Sequence, residues 1–250
     1  MKKFLLTAVI PVLFIGVLWE ITALVISSPL ILPPPLEVAV SFSRLASTAL
    51  FWNHIFHTLI RTFSAFAISL AVSVILGSLS GLSTSADALL KFPMTIIKAT
   101  PVVSFILLAL FWFTSSKVPI FVSVLMTLPV LTSSVSLGIR KTDPKLLEMA
   151  HAYGLRPVTI ISSIYFPSII PSFASGSLAA FGLSWKVVVA AEVISLPRYA
   201  SGSALQTAKV HLETADVFSI SICVIFFSFI CETLFSLVIA KLLKRGKLDV

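Results

Sequence analysis

Charge is what this chain has least of. Only 11% of its 250 residues are Asp, Glu, Lys or Arg, against about a quarter in an ordinary soluble domain. Acidic residues are the scarcer sign, ten against eighteen basic ones, for a net charge of +8. That excess could suit a nucleic-acid binder, but the basic residues form no patch with interleaved aromatics. They stand between apolar runs instead. Cysteine is almost absent too. Cys223 and Cys231 share one apolar run, and on one helix eight residues separate them by about 12 Å, too far to bridge. A disulfide framework is excluded.

Chemical signatures are equally thin. There is no GxxxxGK[ST] loop, so the chain does not hold ATP in that manner. No serine sits in a nucleophile elbow. His54 and His57 are three apart and could share a helix face, but no Cys or third His completes a metal site. A polar face at a membrane edge is the simpler reading of the two histidines. The chain reads as neither enzyme nor metalloprotein.

Apolar residues fill the space left by charge, at 58% of the chain. Six runs approach or exceed the ~20 residues that cross a bilayer's hydrocarbon. They are Phe4–Ile26, Leu59–Leu82, Pro93–Phe113, Val118–Ile139, Phe166–Leu196 and Val217–Leu243. The expected fold class is therefore all-α, a polytopic membrane protein with about six transmembrane helices in one domain spanning 1–250. The first run follows Lys2 and Lys3, as in a secretory signal peptide. Its apolar stretch exceeds the usual ~7–15 residues and no small-x-small cleavage site follows cleanly, so it reads as an uncleaved anchor.

Basic residues then set the orientation. With the N-terminus in the cytoplasm, the inside segments hold Lys2, Lys3, Lys91, Arg140, Lys141, Lys145, Arg156, Lys241, Lys244, Arg245 and Lys247. The outside segments hold only Arg44, Lys117, Arg198 and Lys209. Both termini are expected inside. Outside, the stiff Leu32-Pro33-Pro34-Pro35 cannot continue a helix; it leads into Leu36–Phe51, expected to lie along the membrane surface. The second outside segment, Pro197–Asp216, is long enough for a small lateral or re-entrant helix.

Asp143–Pro171 is the most distinctive stretch, a polar hairpin between two apolar runs. Asp143 is a good N-cap and Pro144 suits the first helical position. Gly154 can take the left-handed conformation that closes such a helix. The spacing Glu, small residue, Ala, three residues, Gly, nine residues, Ile, one residue, Leu-Pro is met at Glu148, Met149, Ala150, Gly154, Ile164, Phe166 and Pro167. Met149 and Phe166 replace the usual Ala and Leu. In this the chain resembles the cytoplasmic coupling loop of bacterial ABC importer permeases.

Further stretches resemble the branch of that family serving nitrate, sulfonate, taurine, bicarbonate and pyrimidine-precursor importers. They are Leu32–Phe42, Thr58-Leu-Ile-Arg61, Ala99-Thr-Pro101, Gly138–Leu147 and Ser184–Val193. Leu196–Ser203 departs from the Gly-Leu-Gly turn common there. The resemblance implies a type I ABC importer permease fold, with about 58–243 as transport core and 140–165 as coupling loop. It implies a homodimer with the path at its interface, two ABC ATPase subunits inside and an extracytoplasmic substrate-binding protein outside. Glu148, Ala150 and Gly154 would belong to the helix that docks on the ATPase. This chain would carry no cofactor; ATP and Mg would be bound by the partner ATPase.

Intramembrane charges are costly unless paired or hydrated. Glu20, Arg61, Lys98 and Glu232 lie in or near the ends of their runs, where snorkelling or structural ion pairing accounts for them. Lys186 and Glu192 fall well inside the fifth run, differing by about 120° in direction, and could flank one polar cavity. Ser177 and Ser184 lie in the same small-residue-rich stretch, whose surface permits close helix approach or lines a narrow passage. These four are the candidate translocation path, and Lys186 points to a small anion such as a sulfonate, taurine, nitrate or bicarbonate. A pyrimidine or vitamin precursor is the alternative cargo. A secondary transporter driven by an ion gradient would show inverted repeats and matching broken helices, and neither is visible. A purely structural membrane protein would have no need of the hairpin.

Overall fold

The computed structural model describes residues 10–245 and is helical throughout them. In chain order the helices are α1 (Ile10–Ile26), α2 (Pro35–Ala46), α3 (Ala49–Leu82), α4 (Thr84–Ala99), α5 (Val102–Ala109), α6 (Val118–Arg140) and α7 (Pro144–Ala152). Then come α8 (Pro157–Ser195), α9 (Ser201–Val210) and α10 (Thr214–Arg245). A π-helical turn at Ile161–Tyr165 interrupts the regular ladder within α8.

Four of these, α3, α6, α8 and α10, are long and apolar enough to cross a membrane. The expected third crossing, Pro93–Phe113, is corrected: α4 and α5 meet at a 97° bend. Pro101 is the physical cause. It forces Thr100 into extended backbone (ψ 132°), the conformation favoured before proline. A hydropathy count reads straight through the break. The α4–α5 pair therefore makes at most one broken crossing. Helix α1 is apolar, and the start of its run, with Lys2, Lys3 and Phe4, lies outside the described residues.

Helix α6 is the axis of the bundle, packed against both α3 and α8. Phe66, Leu131, Ala180 and Phe181 form a buried cluster where the three meet. Hydroxyl pairs cross the same seams, Ser69 with Thr127 at 2.7 Å and Ser123 with Ser184 at 2.7 Å. Such bonds between membrane helices average about 0.6 kcal/mol, so they fix register more than they supply stability. A second cluster joins Phe51, Ile55 and Trp185 to Ile220, Cys223 and Val224 of α10. Both cysteines are unpaired on α10.

The outer elements follow the expected plan with finer boundaries. Pro35 opens α2, whose end at Ala46 is separated from α3 by Thr48, an N-cap accepting from the Phe51 amide. Trp19 Nε1 donates to Pro33 O at 3.0 Å and stitches α1 to the proline stretch. Asp216, at the start of α10, accepts from Ser41 and Arg44 of α2. The expected lateral helix is α9, between α8 and α10.

Candidate functional site

The hairpin is built by its own local rules. Asp143 Oδ1 accepts from the Lys145 amide at 2.9 Å, and Pro144 occupies the first turn of α7. At the far end Gly154 has φ +64°, and the Leu155 amide returns to Ala150 O at 3.0 Å. No atom lies within 4 Å of where a Gly154 side chain would begin. Glycine is required there for its backbone freedom alone.

Two faces of α7 then diverge. Ala150 is wholly buried against Ile160 and Ile164, with Leu147 and Tyr165 beside them. Its small side chain lets the two arms of the hairpin close on each other. The flank next to it presents Leu146, Met149 and Tyr153, the last 79% exposed, at spacings of three and four that bring them onto one stripe. Glu148 is exposed on the side of α7 turned away from Ala150. Apolar groups held in solvent at one stripe mark a contact surface.

The hairpin is also tied to the bundle. Arg140, three residues before Asp143, donates to Ser80 O at 2.9 Å and pairs with Asp87 at 2.9 Å. The root of α7 is thereby linked to the α3–α4 junction.

At the other end of the bundle, residues far apart in sequence assemble around the turn from α8 to α9. Glu192 is fully buried and pairs with Arg61 at 2.8 Å. Its second oxygen accepts from Thr58 Oγ1 at 2.9 Å and from the Gly202 amide at 3.2 Å. Thr58 in turn accepts from the Ser201 amide at 2.9 Å. Helix α9 lacks an N-cap side chain of its own, and Thr58 and Glu192 cap it from other helices. The carboxylate thus sits between a guanidinium and the positive end of a helix. Arg61 also holds Tyr199 O at 2.7 Å, and His54 Nδ1 accepts from the Ala200 amide at 2.8 Å. His57 stacks on the Tyr199 ring, 5.4 Å away. The two histidines thus fasten a turn. Among the described residues no group of three His, Cys, Asp or Glu could hold a metal ion.

The four candidate path residues do not come together. Ser177, Ser184 and Glu192 are buried within the chain, Ser184 bonded to Ser123. Lys186 is exposed and makes no ion pair among the described residues. Nine positions separate it from Ser177, about 900° at 100° per residue, so the two point opposite ways. The expectation that Lys186 and Glu192 flank one cavity is corrected: Glu192 belongs to the Arg61 network. Lys186 instead shares its open face with Ser175, Ala179 and Ala190, all exposed. Reading the seven-residue and nine-residue offsets would have separated these faces from sequence. Arg61 as the partner of Glu192 had no such signal.

An all-helical bundle with broken crossing, polar hairpin and lateral helix defines a membrane transport subunit, and comparison with known proteins gives the family. Residues 70–245 match the binding-protein-dependent transport system inner membrane component family, and the chain belongs to it. It is 30% identical over 198 residues to a putative aliphatic sulfonates transport permease protein, SsuC, of Escherichia coli, covering 78% of this chain and 75% of that one. It is 26% identical over 216 residues to the taurine transport system permease protein TauC of the same organism, covering 83% and 77%. It is 29% identical over 171 residues to the formylaminopyrimidine transport permease protein ThiX of Halalkalibacterium halodurans, covering 66% of each. A solved structure titled as an amino acid ABC transporter with histidines shares the fold, with a TM-score of 0.64 at 17% identity, over 81% of this chain and 97% of that one. The chain is an ABC importer permease with the type I importer fold, and its relatives include permeases named for sulfonates and taurine.

Proposed function

We propose that this permease forms the path for a small organic anion of the sulfonate or taurine kind. Two copies would pair across the open faces of α4, α5 and α8. Two ATPase subunits would bind ATP and Mg on the cytoplasmic side, and a binding protein would deliver cargo outside. The permease itself would do no catalysis. Residues 58–243 of the single domain would form the transport core.

The observation that carries the cargo reading is Lys186. It has no ion-pair partner among the described residues and stands on an exposed stripe of small residues, Ser175, Ala179 and Ala190. A cation on a narrow small-residue face attracts an anion. Helix α4 buries none of its own residues in a single chain, which supports a second copy beside it. The SsuC and TauC likenesses agree with the anion. The ThiX likeness favours a second reading, a pyrimidine precursor.

Coupling would run through α7. Leu146, Met149 and Tyr153 would enter the ATPase with Glu148 adding a polar contact, while Ala150 and Gly154 keep the hairpin rigid. The basic bias supports a cytoplasmic hairpin with both termini on the same side. Impermeant thiol labelling of single cysteines at Ser47 and His151 tests the orientation; labelling at 151 alone in intact cells overturns it.

The cargo is tested with the whole importer in proteoliposomes. ATP-driven uptake of labelled taurine and ethanesulfonate is expected, and Lys186→Met is expected to lower it with complex assembly unchanged. Uptake of a formylaminopyrimidine without the anions would establish the second reading instead.

A further inference from the structure

Beside the hairpin root, α4 and α6 flank an open cleft of about 390 Å³ that the Lys186 cargo reading does not use. On α4 its wall carries Asp87, Lys91 and Lys98, at spacings of four and seven that keep them on one face. Facing them on α6 are Thr132, Ser136 and Arg140, spaced by four each. Both stripes are polar in helices that otherwise meet lipid or protein. Such pairs of stripes are retained in a membrane where they hold water or a ligand.

The charges do not cancel inside the cleft. Asp87 is satisfied by Arg140 and by Ser80 Oγ at 2.6 Å. Lys91 and Lys98 have no acidic partner among the described residues. Three cations against one carboxylate leave a surplus of two positive charges. Thr132, 4% exposed, keeps its hydroxyl without a hydrogen-bond partner, although a buried hydroxyl ordinarily finds one. A cleft with surplus cations, hydroxyls and an unpartnered donor suits a tetrahedral oxyanion, whose oxygens accept from all of them.

We propose that this cleft binds a sulfonate or phosphate group, with Lys91 and Lys98 supplying charge and Thr132 a hydroxyl. The group comes either from a free anion or from the headgroup of an anionic lipid at the hairpin's side of the membrane. The site is distinct from Lys186, which lies on α8 and does not line it. It stands whatever the importer carries.

The test uses the full-length chain in phosphatidylcholine nanodiscs, with ethanesulfonate titrated by calorimetry. In parallel, phosphatidylglycerol is introduced and thermal stabilisation is followed. Lys91→Met and Lys98→Met are each expected to weaken binding about tenfold or more, the loss of one charge-assisted contact. Thr132→Val is expected to weaken it several-fold and Lys209→Met, on α9, to leave it unchanged. Lys91 is exposed, so its variant keeps the fold even where the others lose it. Calorimetric binding lost in the lysine variants identifies a free anion. Stabilisation by phosphatidylglycerol alone, lost in the same variants, identifies a lipid headgroup. Neither effect, or effects untouched in Lys91→Met and Lys98→Met, overturns the site.

Discussion

Arg61 and Glu192, 131 residues apart in the chain, meet at 2.8 Å inside the bundle, with the Glu192 side chain wholly buried. The pair joins α3 to α8, and through Tyr199 O and the Gly202 amide it fixes the turn into α9. A strut of this kind makes the lateral helix move with two membrane helices. Its loss would reach the outer face and the path together.

Arg61→Ala leaves Glu192 buried without its counter-charge, a change that costs about 3–5 kcal/mol when one member of such a pair is removed. Replacing both, as Arg61→Met with Glu192→Leu, is expected to restore most of that. The Gly202 amide would still lack an acceptor, while the Thr58 hydroxyl can donate to Ser201 Oγ at 3.1 Å, so about 1–3 kcal/mol stays lost. Thermal unfolding of the purified protein in detergent measures both. Equal losses in the single and double variants would show that the charge pair is not what holds the turn.

Ala150 is predicted to be intolerant of size. Ala150→Leu forces three heavy atoms between α7 and the Ile160–Ile164 segment, an overpacking of about 1–3 kcal/mol. Faster proteolysis within the hairpin and loss of transport are expected. Glu148→Ala, at an exposed position, should leave proteolysis unchanged and lower only transport-coupled ATPase activity. Matching proteolysis in all three forms would remove Ala150 from the hairpin's packing.

Gly154 separates a backbone requirement from a steric one. With open space around it, a side chain costs only conformation, about 1–2 kcal/mol for the left-handed region and more for a β-branched residue. Gly154→Val is expected to abolish ATPase stimulation, whereas Gly154→Asn should keep most of it, because Asn tolerates that conformation. Transport assays in vesicles give the comparison. Equal damage from both would mean the position is contacted by a partner.

Leu196 ends α8 at φ 50° and ψ 55° with its side chain 53% exposed. It is a bulky residue in a conformation that glycine adopts freely. Leu196→Gly relieves about 1–2 kcal/mol of left-handed strain, against about 0.5–1 kcal/mol of added chain entropy. A net gain of up to about 1 kcal/mol follows, visible as a raised Tm. A lower Tm would mean that the Leu196 side chain has a partner outside the single chain.

What the sequence determined by itself is whatever depends on neighbours a few residues away. Apolar runs of membrane length mark α3, α6, α8 and α10, because in lipid the backbone must satisfy itself within each helix. The hairpin was equally legible: Asp143, Pro144 and Gly154 act within twelve residues, and each does in the fold what its chemistry requires. The 97° break was written in Thr100-Pro101 but hidden by hydropathy, which counts side chains and ignores a proline's restriction of its predecessor. Only the tertiary structure decided which polar residue meets which. Glu192 could have faced Lys186 on angular grounds, yet helix packing brings Arg61 and the start of α9 to it, 131 and 10 residues away. Periodicity gives each helix a face; it does not say which helix that face will find. Ala150 shows the same limit at short range, since its burial depends on where Ile160 and Ile164 return. Spacing fixes directions along one helix, while partners are fixed by how several helices pack at once.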